Sequence, residues 1–155
     1  MSKKNEKQAA SLALQLISLC DGNEELVRKA EIVKDEFNRI TEIEKTISSP
    51  TQLMLNKVLH STRAFDTGMR TFLDLFGALP EEHNRGLGPY LSQLKKGKPG
   101  CFGRLNGDLA ERMKTNVVND RNVYLHAAGE YPTKARANEI VNDILSYLQT
   151  ILNLA

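Results

Sequence analysis

Residues 24–47, EELVRKAEIVKDEFNRITEIEKTI, decide the fold class of this chain. The apolar residues of this stretch recur at alternating steps of four and three. They are Leu26, Ala30, Val33, Phe37, Ile40, Ile43 and Ile47. This spacing places them on one side of an α-helix, whereas a strand would alternate with a period of two. The stretch therefore predicts a long amphipathic helix. A helix of an intramolecular bundle is the favoured interpretation, and the seam of a coiled coil is the alternative.

Helical periodicity continues on both sides of this stretch. An earlier helix covers about residues 9–20 and ends at Asp21-Gly22-Asn23, and a third covers about 52–77 after the break at Ser48-Ser49-Pro50. A fourth runs over about 105–128 with Gly129 as its stop, and a last one covers about 134–152. No segment shows the period of a strand. The predicted fold is all-α, an antiparallel bundle of four or five helices.

One domain over residues 1–155 is expected for a chain of 155 residues. Residues 1–8 are polar, and we expect them to be frayed. Residues 81–103 are rich in Gly and Pro, which predicts a loop-rich insertion between core helices, with a short helix at about 90–96.

The composition is that of a soluble globular protein, with 41% hydrophobic and 26% charged residues. No apolar run approaches the roughly 20 residues of a membrane span. The start of the chain lacks the apolar core of a signal peptide. Cys20 and Cys101 are far apart and have no metal-ligand spacing, so we expect reduced thiols. The predicted location is the cytoplasm, with no membrane partner.

Arg121, Asn122 and His126 are the residues that most resemble a chemical site. They lie in the run Asn119-Asp120-Arg121-Asn122-Val123-Tyr124-Leu125-His126, near the end of the fourth predicted helix. A guanidinium binds phosphate, an imidazole transfers protons near neutral pH, and an amide orients its neighbours. The set suits binding and cleavage of a phosphodiester.

Helix geometry decides whether these side chains act together. Positions four apart differ by about 40° around the axis, so Asn122 and His126 share a face. Arg121 lies about 140° from His126, a separation that its long side chain can bridge. Two such helices crossing at a two-fold axis would also bring two His and two Arg into one cleft.

Other interpretations of these residues remain open. His126 alone is compatible with a structural histidine at a helix C-terminus, where its cationic form interacts favourably with the helix dipole. Arg121 could instead form an ion pair with Asp120 or Glu130. No cluster of His, Cys and carboxylates has metal-ligand spacing, so neither a metal nor a cofactor is predicted.

The pattern Arg-Asn-x-x-x-His near the end of a long helix, followed by Gly129, Pro132-Thr133 and another amphipathic helix, resembles the HEPN superfamily. The resemblance covers about residues 104–152. It implies an all-α bundle, usually dimeric, whose active members are metal-independent endoribonucleases. Many members serve as toxins of toxin–antitoxin pairs or as effectors of phage defence. Members linked to nucleotidyltransferases often carry Tyr two residues after the motif His, where this chain has Ala128.

By this resemblance, Arg121 and His126 match the catalytic pair and Asn122 matches the polar residue that commonly follows the Arg. The implied reaction is attack by the 2′-hydroxyl of RNA on the adjacent phosphate. It implies RNA as substrate, a homodimer with a composite active site, and an antitoxin or defence-system partner. Two other hypotheses are a catalytically silent HEPN-like module that binds RNA, nucleotide or protein, and a helical scaffold.

The charge distribution suggests where RNA would bind. Residues 80–136 carry 10 Lys/Arg and 6 Asp/Glu, a net of +4, within a chain whose net charge is +2. A small basic cluster in this region could follow an RNA backbone, or it could be a solvated loop. Its members are Lys95, Lys96, Lys98 and Arg104.

Overall fold

Side-chain caps begin the four longest helices of the computed structural model, which describes residues 1–155. Ser2, Asn23, Ser49 and Thr133 each accept a hydrogen bond from the backbone N–H three residues further on. The helices are α1 (Lys3–Leu19), α2 (Glu24–Thr46), α3 (Pro50–Leu75), α4 (Leu87–Lys96), α5 (Gly107–Met113), α6 (Asp120–His126) and α7 (Lys134–Leu152). A π-helical segment, Lys114–Asn119, joins α5 to α6, and the continuous helix from Gly107 to His126 is called the rod below.

Helices α1, α2, α3 and α7 form the central bundle, because α2 packs on both α1 and α3, and α7 packs on both α1 and α3. The approach of α3 to α7 is close: a Cβ on Gly68 would lie 2.8 Å from Cδ2 of Leu148. Lys57 on α3 also donates to the Asn138 side chain on α7 at 2.7 Å. Helix α4 and the rod cover another side of α3.

The all-α prediction is confirmed, since the chain has six helices when the rod is taken as one, and no strand. The only β pairing is an isolated bridge between Lys98 and Phe102. The predicted helices at 24–47, 52–77 and 134–152 correspond to α2, α3 and α7. The observed number exceeds the predicted four or five because α4 is a helix in its own right. None of the helices is long and apolar enough to span a membrane.

Two predicted irregular segments are instead ordered parts of the bundle. Helix α1 begins at Lys3, so the prediction that residues 1–8 are frayed is wrong. The Ser2 hydroxyl caps its first turn, and the Asn5 side chain binds Asn142 on α7. These contacts hold a turn whose polar composition alone does not specify a helix.

The short helix predicted at about 90–96 is confirmed as α4, but residues 81–103 also contribute to the core, which the prediction of a loop-rich insertion did not include. Five apolar side chains from this region are buried: Leu87, Tyr90, Leu91, Leu94 and Phe102. The Phe102 ring contacts Phe72 and Phe76 of the α3 end, with ring centroids 5.3 and 5.6 Å apart. Gly86 and Gly97 cap α4, and Gly88 and Pro89 lie in its first turn, so its apolar face is intact.

Candidate active site

Helix α6 carries the predicted site, and it differs from every other α-helix in having no buried residue. Arg121 is half-buried, and Asn122 and His126 are exposed. His126 is the last residue of the helix, since Ala127 is extended and Gly129 has a φ of 82°. The three side chains therefore lie at a helix end that a ligand can reach.

The order of residues along α6 places the polar groups relative to one another. Residues 120–126 are α-helical, so Asn122 and His126 lie on one face, about 40° apart. Arg121 lies about 140° from His126 around the axis, on the side that turns toward α3. Arg121 and His126 therefore lie on different faces of the helix, at the separation that the sequence predicted.

Arg136 holds the start of α6 in place. Its Nε donates to the Asp120 carboxylate at 2.7 Å, and its Nη2 donates to the backbone carbonyl of Asn116 at 2.9 Å. In the π-helical segment, the N–H of Asp120 donates to the Val117 carbonyl instead of to Asn116. Arg136 thus donates to the Asn116 carbonyl, which the Asp120 N–H does not bind, and it joins the rod to α7.

Because Asp120 pairs with Arg136, it does not form an ion pair with the neighbouring Arg121. The alternative that Arg121 pairs with Asp120 or Glu130 is not found, because neither carboxylate lies within 4.0 Å of its guanidinium. Arg121 makes no ion pair or side-chain hydrogen bond anywhere in the molecule. Its guanidinium is free to accept an anionic ligand.

Two charged residues of α3 form the wall beside Arg121. Asp66 is half-buried and has no hydrogen-bond or ion-pair partner, and Nε of Arg70, four residues later, is buried without a partner. Burial raises the pKa of Asp66, while the charges of Arg121 and Arg70 act to lower it. Burial therefore outweighs the attraction of two guanidiniums. Asp66, Arg70 and Arg121 lie close enough for their charges to interact, but no hydrogen bond or ion pair joins them.

Tyr90 of α4 is buried, and its hydroxyl lies near enough to Asp66 and Arg70 for their charges to act on it. Burial raises the pKa of its hydroxyl, and the charge of Asp66 raises it further, while Arg70 and Arg85 act to lower it. The phenol stays neutral and can serve only as a hydrogen-bonding group. Around Asp66, the two positive charges of Arg70 and Arg121 outnumber its single carboxylate.

The predicted basic cluster is brought together only in part. Lys95, Lys96 and Arg104 line one recess of about 510 Å³ with Ser92. Lys98 does not line it, because its ammonium donates to the Phe76 carbonyl. Lys114 of the π-helical segment joins Lys95 and Lys96 in an adjoining recess of about 350 Å³.

The other two histidines have different environments. His60 Nδ1 lies 2.7 Å from one carboxylate oxygen of Glu36, and the other oxygen lies 3.2 Å from Arg63 Nε in an ion pair. This pair lies between α2 and α3 and has a structural role. The His83 side chain is 79% exposed and lies outside the bundle, which makes it a useful surface control.

Sequence reasoning identified Arg121, Asn122 and His126 but missed Asp66, Arg70, Lys114 and Arg136. The spacing of Asp66 and Arg70, four apart on one helix face, was a detectable signal of a charged pair. Arg136 gave no such signal, because its contact with Asp120 spans the turn between α6 and α7 and depends on the π-helical segment.

No protein-family model, curated protein or solved structure matches this chain.

Proposed function

We propose that this protein is a metal-independent endoribonuclease of the HEPN type, acting as a toxin or as an effector of phage defence. The observation that carries the proposal is a helix with no buried residue that carries the unpaired guanidinium of Arg121 together with exposed Asn122 and His126. A helix that packs so little of its surface is poorly explained by a structural role alone.

The proposed reaction uses the nucleophile that RNA itself carries. The 2′-oxygen attacks the adjacent phosphorus and the 5′-oxygen of the next nucleotide leaves, so that a 2′,3′-cyclic phosphate forms. A proton is lost by the nucleophile and gained by the leaving oxygen, and His126 transfers a proton in this exchange. Arg121 stabilises the negative charge that grows on the phosphoryl oxygens, and Asn122 orients the reacting groups.

The wall formed by α3 supports the role of Arg121. Asp66 is near enough to act on the guanidinium by charge, but it does not hold it in an ion pair. A phosphate can therefore bind the guanidinium of Arg121 without first breaking a salt bridge between Arg121 and Asp66.

The proposal is tested by RNA cleavage with excess EDTA, comparing wild type with Arg121→Ala and His126→Ala. We expect either substitution to reduce the cleavage rate by about 10²-fold or more, the usual range for losing a proton-transfer group or an anion-stabilising group. Matched DNA should resist cleavage because it lacks the 2′-hydroxyl.

Two surface substitutions serve as controls for this experiment. His83→Ala removes an exposed imidazole, and Arg112→Ala removes an exposed guanidinium from α5 in the same rod. Both should cleave at the wild-type rate. RNA binding without cleavage by the wild type would instead favour the catalytically silent module.

A further inference from the structure

A concave basic surface, the α4 groove, lies between the C-terminal end of α4 and the start of the π-helical segment. It consists of the two adjoining recesses of about 350 and 510 Å³, which share Ser92, Lys95 and Lys96. Its cationic side chains are Lys95, Lys96, Arg104 and Lys114. They come from three separate parts of the chain, so the fold assembles the groove.

None of these four cations is paired within the molecule. No carboxylate lies within 4.0 Å of their charged nitrogens, although ion pairs are common elsewhere on the surface. Glu111 is the one carboxylate that lines the groove, so four positive charges face one negative charge, a net of +3. Such a surface attracts an anion with several charges.

The position of Arg104 shows that the groove is built by a specific turn. Gly97 ends α4 with a φ of 67°, and a Cβ there would lie 2.9 Å from Cγ of Arg104. The N–H of Leu105 then donates to the Leu94 carbonyl at 2.8 Å. The chain is thus folded back against α4, which places Arg104 beside Lys95 and Lys96.

The helix dipole accounts for only part of this charge. Lysines in the last turn of α4 interact favourably with its C-terminal carbonyls, which explains Lys95 and Lys96 without a ligand. It does not explain Arg104 or Lys114, which belong to other elements. A ligand is the simpler account of all four.

We propose that the α4 groove binds the phosphate backbone of single-stranded RNA next to the cleavage site. This proposal rests on the proposed ribonuclease function. Lys114 precedes Arg121 by seven residues in the rod, which is roughly 10 Å along a helix axis. A strand lying in the groove can therefore pass directly to Arg121. The lining is mostly polar, and the exposed large hydrophobic side chains (Leu14, Ile32, Val123 and Tyr131) do not line it, which disfavours a membrane surface.

The test measures binding of a fluorescein-labelled, fully 2′-O-methylated RNA 12-mer, which cannot be cleaved through a 2′-hydroxyl. Each phosphate contact to a single strand changes the slope of log K against log salt by about 0.7. The double variant Lys95→Gln/Lys96→Gln should therefore reduce the slope by about 1.4 between 50 and 200 mM KCl.

The matched control is Lys3→Gln/Lys4→Gln, which removes the same charge from another adjacent pair of exposed lysines. It should leave the slope near that of the wild type. An equal effect of both double variants, no effect of the first, or no RNA binding by the wild type would overturn the proposal. Binding of phosphatidylserine vesicles without binding of RNA would also overturn it.

The cleavage assay separates this proposal from the proposed function. A shifted slope without cleavage of unmodified RNA would keep the groove and reject the ribonuclease. Cleavage that depends on His126 with an unchanged slope would keep the ribonuclease and reject the groove.

Discussion

Asp120 pairs with Arg136 and leaves the guanidinium of the neighbouring Arg121 unpaired. Asp120 lies next to Arg121 in sequence, but it pairs with Arg136 across the turn. Burial alone would lower the pKa of Arg136, but its hydrogen bonds and charge interactions with Asp120 and Glu139 raise it. Arg136 is thereby fixed, and Arg121 is left free for a ligand.

Asp66→Asn is expected to stabilise the protein at pH 7. Burial raises the pKa of Asp66 above its ordinary value despite the nearby arginines. The folded state therefore holds more protons than the unfolded state just above the ordinary Asp range. The free energy of unfolding of the wild type should fall as pH rises through that window, and the Asn variant should lack this fall.

Urea unfolding at pH 4 and pH 7 checks this prediction, with Asp74→Asn as the matched control on the same helix. Asp74 pairs with Lys29 at 3.3 Å, so its replacement should cost up to about 1 kcal/mol. A loss of stability in Asp66→Asn at pH 7 would contradict the assignment of burial as the dominant effect.

At the scale of elements, the rod couples the site to the bundle through its π-helical segment. The Asn116 carbonyl in this segment accepts from Arg136, and the Asn116 side chain donates to the Tyr147 hydroxyl at 3.2 Å. Both partners lie on α7. The position of α6, and of the side chains it carries, therefore depends on α7.

Arg136→Ala should destabilise this part of the molecule. It would leave Asp120 without its partner and the Asn116 carbonyl without its charged donor, at a cost of about 2 kcal/mol. We expect faster amide hydrogen exchange across residues 114–126 and a lower urea midpoint.

Arg39→Ala is the control for that experiment, because Arg39 pairs with Glu42 on the exposed face of α2. Its effect should stay below about 0.5 kcal/mol. Unchanged exchange in Arg136→Ala would show that α6 is positioned without this contact.

The long helices could be predicted because local signals agreed along the sequence. Periodic apolar residues, a capping side chain and a nearby Gly or Pro mark α2, α3 and α7. Helix α4 was underestimated because its Gly and Pro neighbours obscured a short apolar face. The π-helical segment could not be predicted, since its stability depends on Arg136 and Tyr147, which lie far along the chain.

In the candidate site, the sequence could indicate only the residues that lie close together along the chain. Arg121, Asn122 and His126 lie within one short run, and their residue types indicate their chemistry. The wall of Asp66 and Arg70, and the part of Lys114 in the α4 groove, arise only when α3, α4 and the rod pack together. Lys98 was predicted to belong to the basic cluster, but in the folded chain its ammonium donates to the Phe76 carbonyl and it does not line the groove.

At the scale of the whole molecule, we expect a homodimer formed through α6. Val123 on α6 and Tyr131 in the following turn are 47% and 45% exposed. A two-fold contact through these side chains would cover them and bring two copies of His126 together. Val123→Glu should break it, because the two carboxylates would face each other.

Sedimentation at micromolar concentration measures this, with Leu14→Glu as the control, since Leu14 is 58% exposed on α1. Wild type and the control should sediment at twice the chain mass of 17.3 kDa, and Val123→Glu at that mass. A wild-type monomer would contradict the composite cleft.

Mass spectrometry of the RNA fragments that the wild-type protein produces in excess EDTA is the decisive measurement for cleavage through the 2′-hydroxyl. We expect 2′,3′-cyclic phosphate or 3′-phosphate ends paired with 5′-hydroxyl ends, with these products lost in His126→Ala. Fragments with 3′-hydroxyl and 5′-phosphate ends, or the same products from His126→Ala, would contradict it.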